Sequence, residues 1–212
     1  MELIHPQVQA YAERFTTPDE PLLREICDHT LATHAHPNML SGHLQGKWLQ
    51  MVSWMLRPRR ILEIGTFTGY SALCLASGLT EDGLLHTIDI REEETSTASA
   101  YFARSPLGAK IITHTGAAAG IIPTLDEEWD LVFIDADKTG YREYFELVVP
   151  RVRKNGFILA DNVFFHGDVL EEPVRGKSGK AIRDFNEFIL GREDVEKMML
   201  TLRDGLYLLR KL

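Results

Sequence analysis

The sequence predicts an α/β fold, a mostly parallel sheet with helices on both faces and antiparallel pairing at its C-terminal end. Three observations lead there. From residue 60 onward, short apolar runs alternate with segments of helical period, the pattern of consecutive βα units. The first run, Ile61 to Ile64, breaks into a glycine turn, Gly65-Thr-Phe-Thr-Gly69, and a helix-like stretch follows. Near the C-terminus, two apolar segments flank Arg203-Asp204-Gly205, and Asp-Gly is a strong hairpin signal.

The elements follow in order. Ile4, Val8, Tyr11 and Phe15 recur at spacings of three and four, giving a helix with one apolar face. Thr17-Pro18-Asp19 breaks it. Leu22, Leu23, Ile26 and Leu31 mark a second helix. His34-Ala-His-Pro-Asn38 reads as a loop, because a residue before proline is pushed out of the helical region. Leu44, Trp48, Met51, Val52 and Met55 mark a third helix, stopped by Pro58. Strands are expected at Arg60–Ile64, Leu84–Asp89, Lys110–His114, Trp129–Asp135 and Phe157–Ala160, with helices near 69–79, 92–104, 117–125 and 140–149. Asn162–Gly179 is polar and glycine-rich and reads as a loop before a helix at about 180–190. The hairpin strands are Val195–Thr201 and Leu206–Arg210. With no repeat, linker or low-complexity tract, one domain is expected over residues 1–212: a helical cap at 1–57 and an α/β core at 58–212.

Composition narrows the classes. The 212 residues are 44% hydrophobic and 25% charged, enough for a sizeable packed core rather than a disordered chain. A net charge of −8 argues against general binding to nucleic acid or anionic membranes, which need a basic surface. Cys27 and Cys74 form no spaced motif, and Cys74 reads as an inert core residue. The N-terminal stretch lacks a basic segment followed by an apolar run, and no stretch reaches the ~18 apolar residues of a membrane span. A cytoplasmic protein is the expectation.

The glycine turn suggests a ligand. A strand, a glycine loop and a helix start place backbone N–H groups at the carboxyl edge of a sheet, where ligands bind. The spacing is Glu-x-Gly-x-x-x-Gly rather than Gly-x-Gly-x-x-Gly, and Glu63 precedes the first glycine. A carboxylate there repels a pyrophosphate but suits a cationic or zwitterionic ligand. The next strand ends in Asp89, 24 residues after Gly65, near the place where an acid commonly binds ribose hydroxyls. An adenosine-containing ligand with a positive centre fits both, and S-adenosylmethionine is one. The alternative is a glycine pair in an ordinary βα turn.

A second constellation lies downstream. Strands ending at Asp135 and at Asp161-Asn162, if neighbours in a parallel sheet, bring two carboxylates and an amide together. Such oxygen donors suit a hard divalent cation, Mg²⁺ or Ca²⁺ rather than zinc. The blander alternative is a set of strand-end caps facing solvent. Lys138, three residues after Asp135, is a candidate general base, since a nearby cation favours the neutral amine; a solvated loop lysine is its commoner role. Asp137 either backs the site or faces solvent. His29, His34, His36 and His43 crowd one stretch, but their spacing fits no ligand motif. Trp48 and Trp54 are six residues apart and read as core or interface packing.

With these residues in view, the chain resembles the metal-dependent O-methyltransferases related to catechol and caffeoyl-coenzyme A O-methyltransferases. The stretches that carry the resemblance are LEIGTFTGYSAL, TIDI, FIDADKTGYREYF, GFILADN and RDGLYLLRK, and it runs from about Asn38 to Leu212. It implies a Rossmann-like, seven-stranded methyltransferase sheet with a reversed last strand. It implies that Glu63, Gly65, Phe67 and Ser71 form the cofactor loop for S-adenosylmethionine. Asp89 matches the acid on the ribose hydroxyls, Gly116 and Ala117 the turn beside the adenine, and Met39 a residue bordering substrate and methyl group. Asp135, Asp161 and Asn162 match ligands of a divalent cation (Mg, Ca or Mn). Asp135 also falls near the methionine part of the cofactor, and Lys138 matches the base. The implied acceptor is a small phenolic or catechol-like molecule, and a homodimer is implied. Phe165 departs from the Trp of many plant relatives. Arg175, Lys177, Lys180 and Arg183 suit an anionic acceptor, but Glu171 and Glu172 oppose them.

Other classes stay open from sequence alone. They are a methyltransferase with a non-catechol acceptor, a non-catalytic dimeric nucleotide-binding or interaction protein, and a dinucleotide domain. The missing Gly-x-Gly-x-x-Gly counts against the last.

Overall fold

The computed structural model describes residues 3–212; Met1 and Glu2 of the expected cap lie outside the described residues. Three helices come first: α1 (Pro6–Arg14), α2 (Pro21–Thr33) and α3 (Gly42–Leu56). Strands and helices then alternate through β1 (Arg60–Ile64), α4 (Tyr70–Ala76), β2 (Leu84–Asp89), α5 (Glu92–Phe102) and β3 (Ile111–Thr115). They continue through α6 (Ala118–Ile121), β4 (Trp129–Ile134), α7 (Tyr141–Val148) and β5 (Val152–Asp161). The chain ends with α8 (Lys177–Leu190), β6 (Val195–Leu200) and β7 (Leu206–Lys211).

One seven-stranded sheet results, in the order β3-β2-β1-β4-β5-β7-β6. The first five strands are parallel, and β7 runs antiparallel between β5 and β6, as the Asp-Gly turn predicts. After β1 the chain builds outward through β2 and β3, then returns to add β4 on the other side. The order therefore reverses between β1 and β4, and the crevice outside their carboxyl ends is the place where open α/β sheets bind ligands.

Strand residues alternate between two cores. Leu62, Ile64, Val132 and Ile134 pack under α7 and α8, while Ile61, Leu131 and Phe133 pack under α3 and α4. Burial on both faces explains why these strands read as unbroken apolar runs. All seven residues of α4 are buried, because α3 lies directly over it. That approach needs Gly78, where a Cβ would come within 2.2 Å of the Ser53 backbone.

Three expectations change. The apolar face of α1 is left largely open among the described residues: Val8, Tyr11 and Phe15 are 60%, 65% and 67% exposed. Strand β5 begins at Val152 rather than at residue 157. Its first half, Arg153-Lys154-Asn155, is polar and includes a residue at φ 62°, so the apolar pattern hides it. The polar loop after Asn162 carries helical turns at Phe165–Leu170, and α8 starts at Lys177. Among the described residues no helix is long and apolar enough to cross a membrane.

Candidate active site

A cavity of about 820 Å³ opens at the switch point. The turn after β1, the ends of β2, β4 and β5, and the loop before α3 all contribute to its wall. Met39, Gly65, Phe67, Ser71, Asp89, Gly116, Ala117, Asp135, Lys138, Asp161 and Asn162 all line it, so eleven of the twelve residues that the resemblance implies for cofactor, cation and base share one cavity. The twelfth, Glu63, is fully buried behind that wall, on the sheet face that Ile61 also uses.

The half of the cavity at β1 and β2 is shaped by main chain. Gly65 has φ 107°, and a Cβ there would sit 1.8 Å from the Asp135 carbonyl oxygen, so glycine lets the turn press against the end of β4. The Phe67 N–H donates to Asp89 Oδ2 at 3.0 Å, and the Arg91 N–H donates to Asp89 Oδ1 at 3.0 Å. Both carboxylate oxygens are thereby aimed, each with a lone pair to spare. Glu63 Oε2 accepts from Thr87 at 2.6 Å, while Glu63 Oε1 is buried without a hydrogen bond. Burial pushes the Glu63 carboxyl up to about 8, against the opposite pull of the Thr87 and Ser71 hydroxyls.

The half at β4 and β5 is shaped by side chains. The register sets Ile134 beside Ala160, so Asp135 and Asp161 leave adjacent strands together, as their spacing predicts. Lys138 Nζ donates to Asp135 Oδ1 at 3.0 Å, to Asn162 Oδ1 at 2.8 Å and to the Tyr141 hydroxyl at 2.7 Å. The Tyr141 hydroxyl donates in turn to the Asp161 carbonyl at 2.9 Å. Asp161 is 1% exposed; Oδ2 accepts from Gln45 at 2.6 Å and Oδ1 from the Asn162 N–H at 2.8 Å. Burial, and secondarily the charge of Asp135, raise the Asp161 carboxyl to about 6. Asp137 accepts from the Tyr144 hydroxyl and so braces the cavity rim.

This donor set fits a hard cation. The oxygens of Asp135 and Asn162 already converge on one positive atom, Lys138 Nζ, which stands in for positive charge at that spot. The Asp161 carboxyl, raised chiefly by burial and then by Asp135, is favoured in its charged form by positive charge beside it. Among the described residues no group of three or more His, Cys, Asp or Glu gathers for a metal ion, so an amide would have to complete the set.

Gln45 and Arg203 are the residues that sequence reading missed. Gln45 lies on α3 and carries no motif. Arg203 sits in the turn before β7 at φ 48°, and its guanidinium donates to the Ser41 carbonyl and, at 3.4 Å, to Gln45 Oε1. The four crowded histidines have different neighbours. His34 pairs with Glu94 and His43 with Asp19, both at 2.9 Å; His36 lines the cavity, and His29 lies against Tyr101. In the charged loop Arg175 faces Glu171 and Arg183 faces Glu172.

Known proteins share this architecture. A family model described as O-methyltransferase matches residues 13–212. A catechol O-methyltransferase of Niastella koreensis is 33% identical over 186 residues, covering 86% of this chain and 83% of that one. Caffeoyl-CoA O-methyltransferase 1 of Eucalyptus globulus is 31% identical, covering 91% and 82%. Among solved structures, the methyltransferase PaMTH1 of Podospora anserina, bound to SAH, superposes with a TM-score of 0.90 at 27% identity, covering 97% and 94%. The O-methyltransferase TomG of Streptomyces achromogenes, in complex with SAM, superposes with a TM-score of 0.86 at 30% identity, covering 97% and 96%. With the sheet order, the switch-point cavity and these matches agreeing over nearly the whole chain, the protein belongs to the O-methyltransferase family.

Proposed function

We propose that the protein transfers a methyl group from S-adenosylmethionine to a hydroxyl of a small catechol-like or phenolic acceptor, assisted by a divalent cation. The observation that carries this reading is the convergence of Asp135, Lys138, Asp161 and Asn162 on the same cavity as Asp89 and the Gly65 turn. When bound, S-adenosylmethionine supplies an electrophilic methyl group, and a cation (Mg, Ca or Mn) supplies Lewis-acid charge that favours the anion of the acceptor oxygen.

The chain's own residues do the rest. Asp89 accepts from ribose hydroxyls with oxygens already aimed by main-chain N–H groups. Glu63, buried behind the Gly65 turn, backs the cofactor loop and sets a carboxylate behind the place of the positively charged methionine part. Gly65 and Gly116, without side chains, and the small Ala117 leave room for the nucleoside to lie close. Asp135, Asp161 and Asn162 hold the cation. Lys138, whose Nζ lies among Asp135, Asn162 and the Tyr141 hydroxyl, is placed to take the hydroxyl proton. Met39, at the rim, borders the acceptor. Holding the oxygen and the methyl group at attack distance supplies much of the rate.

Exposed apolar side chains on the N-terminal helices, among them Tyr11, Phe15 and Trp54, support a homodimer in which a second copy covers them. A cytoplasmic setting is part of the reading, supported by the free thiols of Cys27 and Cys74. The test is methyl transfer to a panel of catechols and monophenols with Mg²⁺, Mn²⁺, Ca²⁺ or a chelator. Turnover of catechols that the chelator stops is the expected result. Tight cofactor binding without turnover on the panel would move the acceptor away from catechols, and turnover indifferent to the chelator would remove the cation.

A further inference from the structure

We infer that Gln45 and Arg203 form a strut that positions Asp161, so that the N-terminal helices and the C-terminal hairpin jointly set the cation-binding carboxylate. This inference rests on the cation reading above. Asp161 terminates β5, and neither of its immediate chain neighbours fixes Oδ2. That oxygen is held by Gln45 Nε2 at 2.6 Å, from a helix 116 residues earlier in the chain. Gln45 is itself 1% exposed, so its amide has little freedom.

The direction of that amide is decided by its other end. An amide side chain can present either its oxygen or its nitrogen, and only its partners select between them. The guanidinium of Arg203 carries donors alone, so Gln45 must turn Oε1 towards it. Nε2 then faces Asp161, whose carboxylate accepts. Arg203 also donates to the Ser41 carbonyl at the start of α3, which ties the hairpin turn to the helix that carries Gln45. Its left-handed backbone, φ 48°, belongs to this turn geometry.

The consequence is a division of duty on Asp161. One lone pair of each oxygen is committed, Oδ2 to Gln45 and Oδ1 to the Asn162 N–H, and the rotamer is thereby locked. The remaining lone pairs are left for a cation. Without Gln45, Oδ2 would be buried and unpaired, and the carboxylate would turn to find a partner. Gln45 and Arg203 are thus positioning residues, acting through Asp161 in the way that outer hydrogen bonds orient metal ligands.

The experiment measures binding rather than turnover. Mn²⁺ alone is titrated into the full chain, and free Mn²⁺ is read by its electron paramagnetic resonance signal; S-adenosylhomocysteine is titrated separately by calorimetry. Gln45→Met, similar in length but without a donor, is expected to weaken Mn²⁺ by roughly 10- to 100-fold and to leave S-adenosylhomocysteine affinity unchanged. Arg203→Met is expected to weaken Mn²⁺ less, Arg203→Lys to restore part of the loss, and the double variant to lose no more than Gln45→Met. Equal Mn²⁺ affinity in Gln45→Met and the wild type overturns the strut. Parallel loss of both ligands overturns it too, as a general structural effect. If Gln45→Met does not fold, Arg203→Met decides alone: unchanged Mn²⁺ affinity overturns the inference. A wild-type chain that binds no Mn²⁺ overturns the cation reading itself, and the strut's function with it.

Discussion

At the ends of β1 and β2 main-chain groups fix the geometry of the cavity, and at the ends of β4 and β5 side chains do. The first half is built from one continuous stretch, Glu63 to Arg91, in which a glycine turn and two N–H groups on Asp89 fix the geometry. The second half gathers Asp135, Lys138, Asp161 and Asn162 with Gln45 from α3 and Arg203 from the last turn. A half made of backbone forms whenever the βα unit folds. A half made of long side chains depends on each partner and answers to single substitutions. Cofactor binding and acceptor chemistry are therefore expected to separate under mutation.

The largest separation is expected at Lys138. Lys138→Met removes the base and should lower kcat by about 10²- to 10⁴-fold while leaving cofactor affinity near that of the wild type. A comparable fall in cofactor affinity would join the two halves.

Glu63 tests the other half. Glu63→Gln should weaken S-adenosylmethionine by roughly 10-fold, since an amide cannot ionise behind the bound positive charge. The pH dependence carries a sign. The buried carboxyl stays protonated to about 8, against an ordinary value of 4.5. Binding a cationic group must expel that proton, so affinity should rise with pH up to about 8 and then level; Glu63→Gln should flatten the curve. In the cofactor-free protein the folded state binds more protons than the unfolded state between those limits, so stability from this group falls as pH rises from 4.5 towards 8. The lost stability is on the order of a few kcal/mol, and thermal melts of the wild type and Glu63→Gln across that window would measure it. Parallel melting curves would contradict the assignment.

The smallest effect lies outside the cavity. His86 and His114 face each other across β2 and β3 at 3.0 Å, beside Trp129, with Arg60 and Glu127 also acting on His86. Burial, and then His114, lower the proton affinity of His86 below its ordinary 6.5. Here the unfolded state binds more protons, so stability is lost as pH falls through the ordinary value towards the lowered one. His86→Phe should blunt that acid loss by about 1 kcal/mol or less, with both ligand affinities unchanged. A change in cofactor affinity would show that the pair communicates with the site.

The same contrast explains what could be read in advance. The Gly65 turn, Asp89 and the Asp135-Ala-Asp-Lys138 run are contiguous patterns at strand ends, so the sheet, its hairpin and most of the cavity wall were legible. Gln45 was not, because a buried glutamine on an amphipathic helix has no spacing that announces a partner 116 residues away. Arg203 is legible only as part of a turn, and its reach to Ser41 and Gln45 depends on where the hairpin meets α3. The start of β5 was hidden by Arg153-Lys154-Asn155, polar residues in a strand whose apolar half comes later. The apolar stripe on α1 is visible in the sequence, but Val8, Tyr11 and Phe15 stay exposed among the described residues.

The division between the two halves is tested most directly by Asp161→Asn. S-adenosylmethionine affinity and Mg²⁺-supported methyl transfer to a catechol would be measured on one preparation, alongside the wild type. The predicted result is cofactor affinity within about 3-fold of the wild type and turnover reduced by about 100-fold or more. Full turnover in the variant, or loss of cofactor affinity in step with turnover, would contradict it.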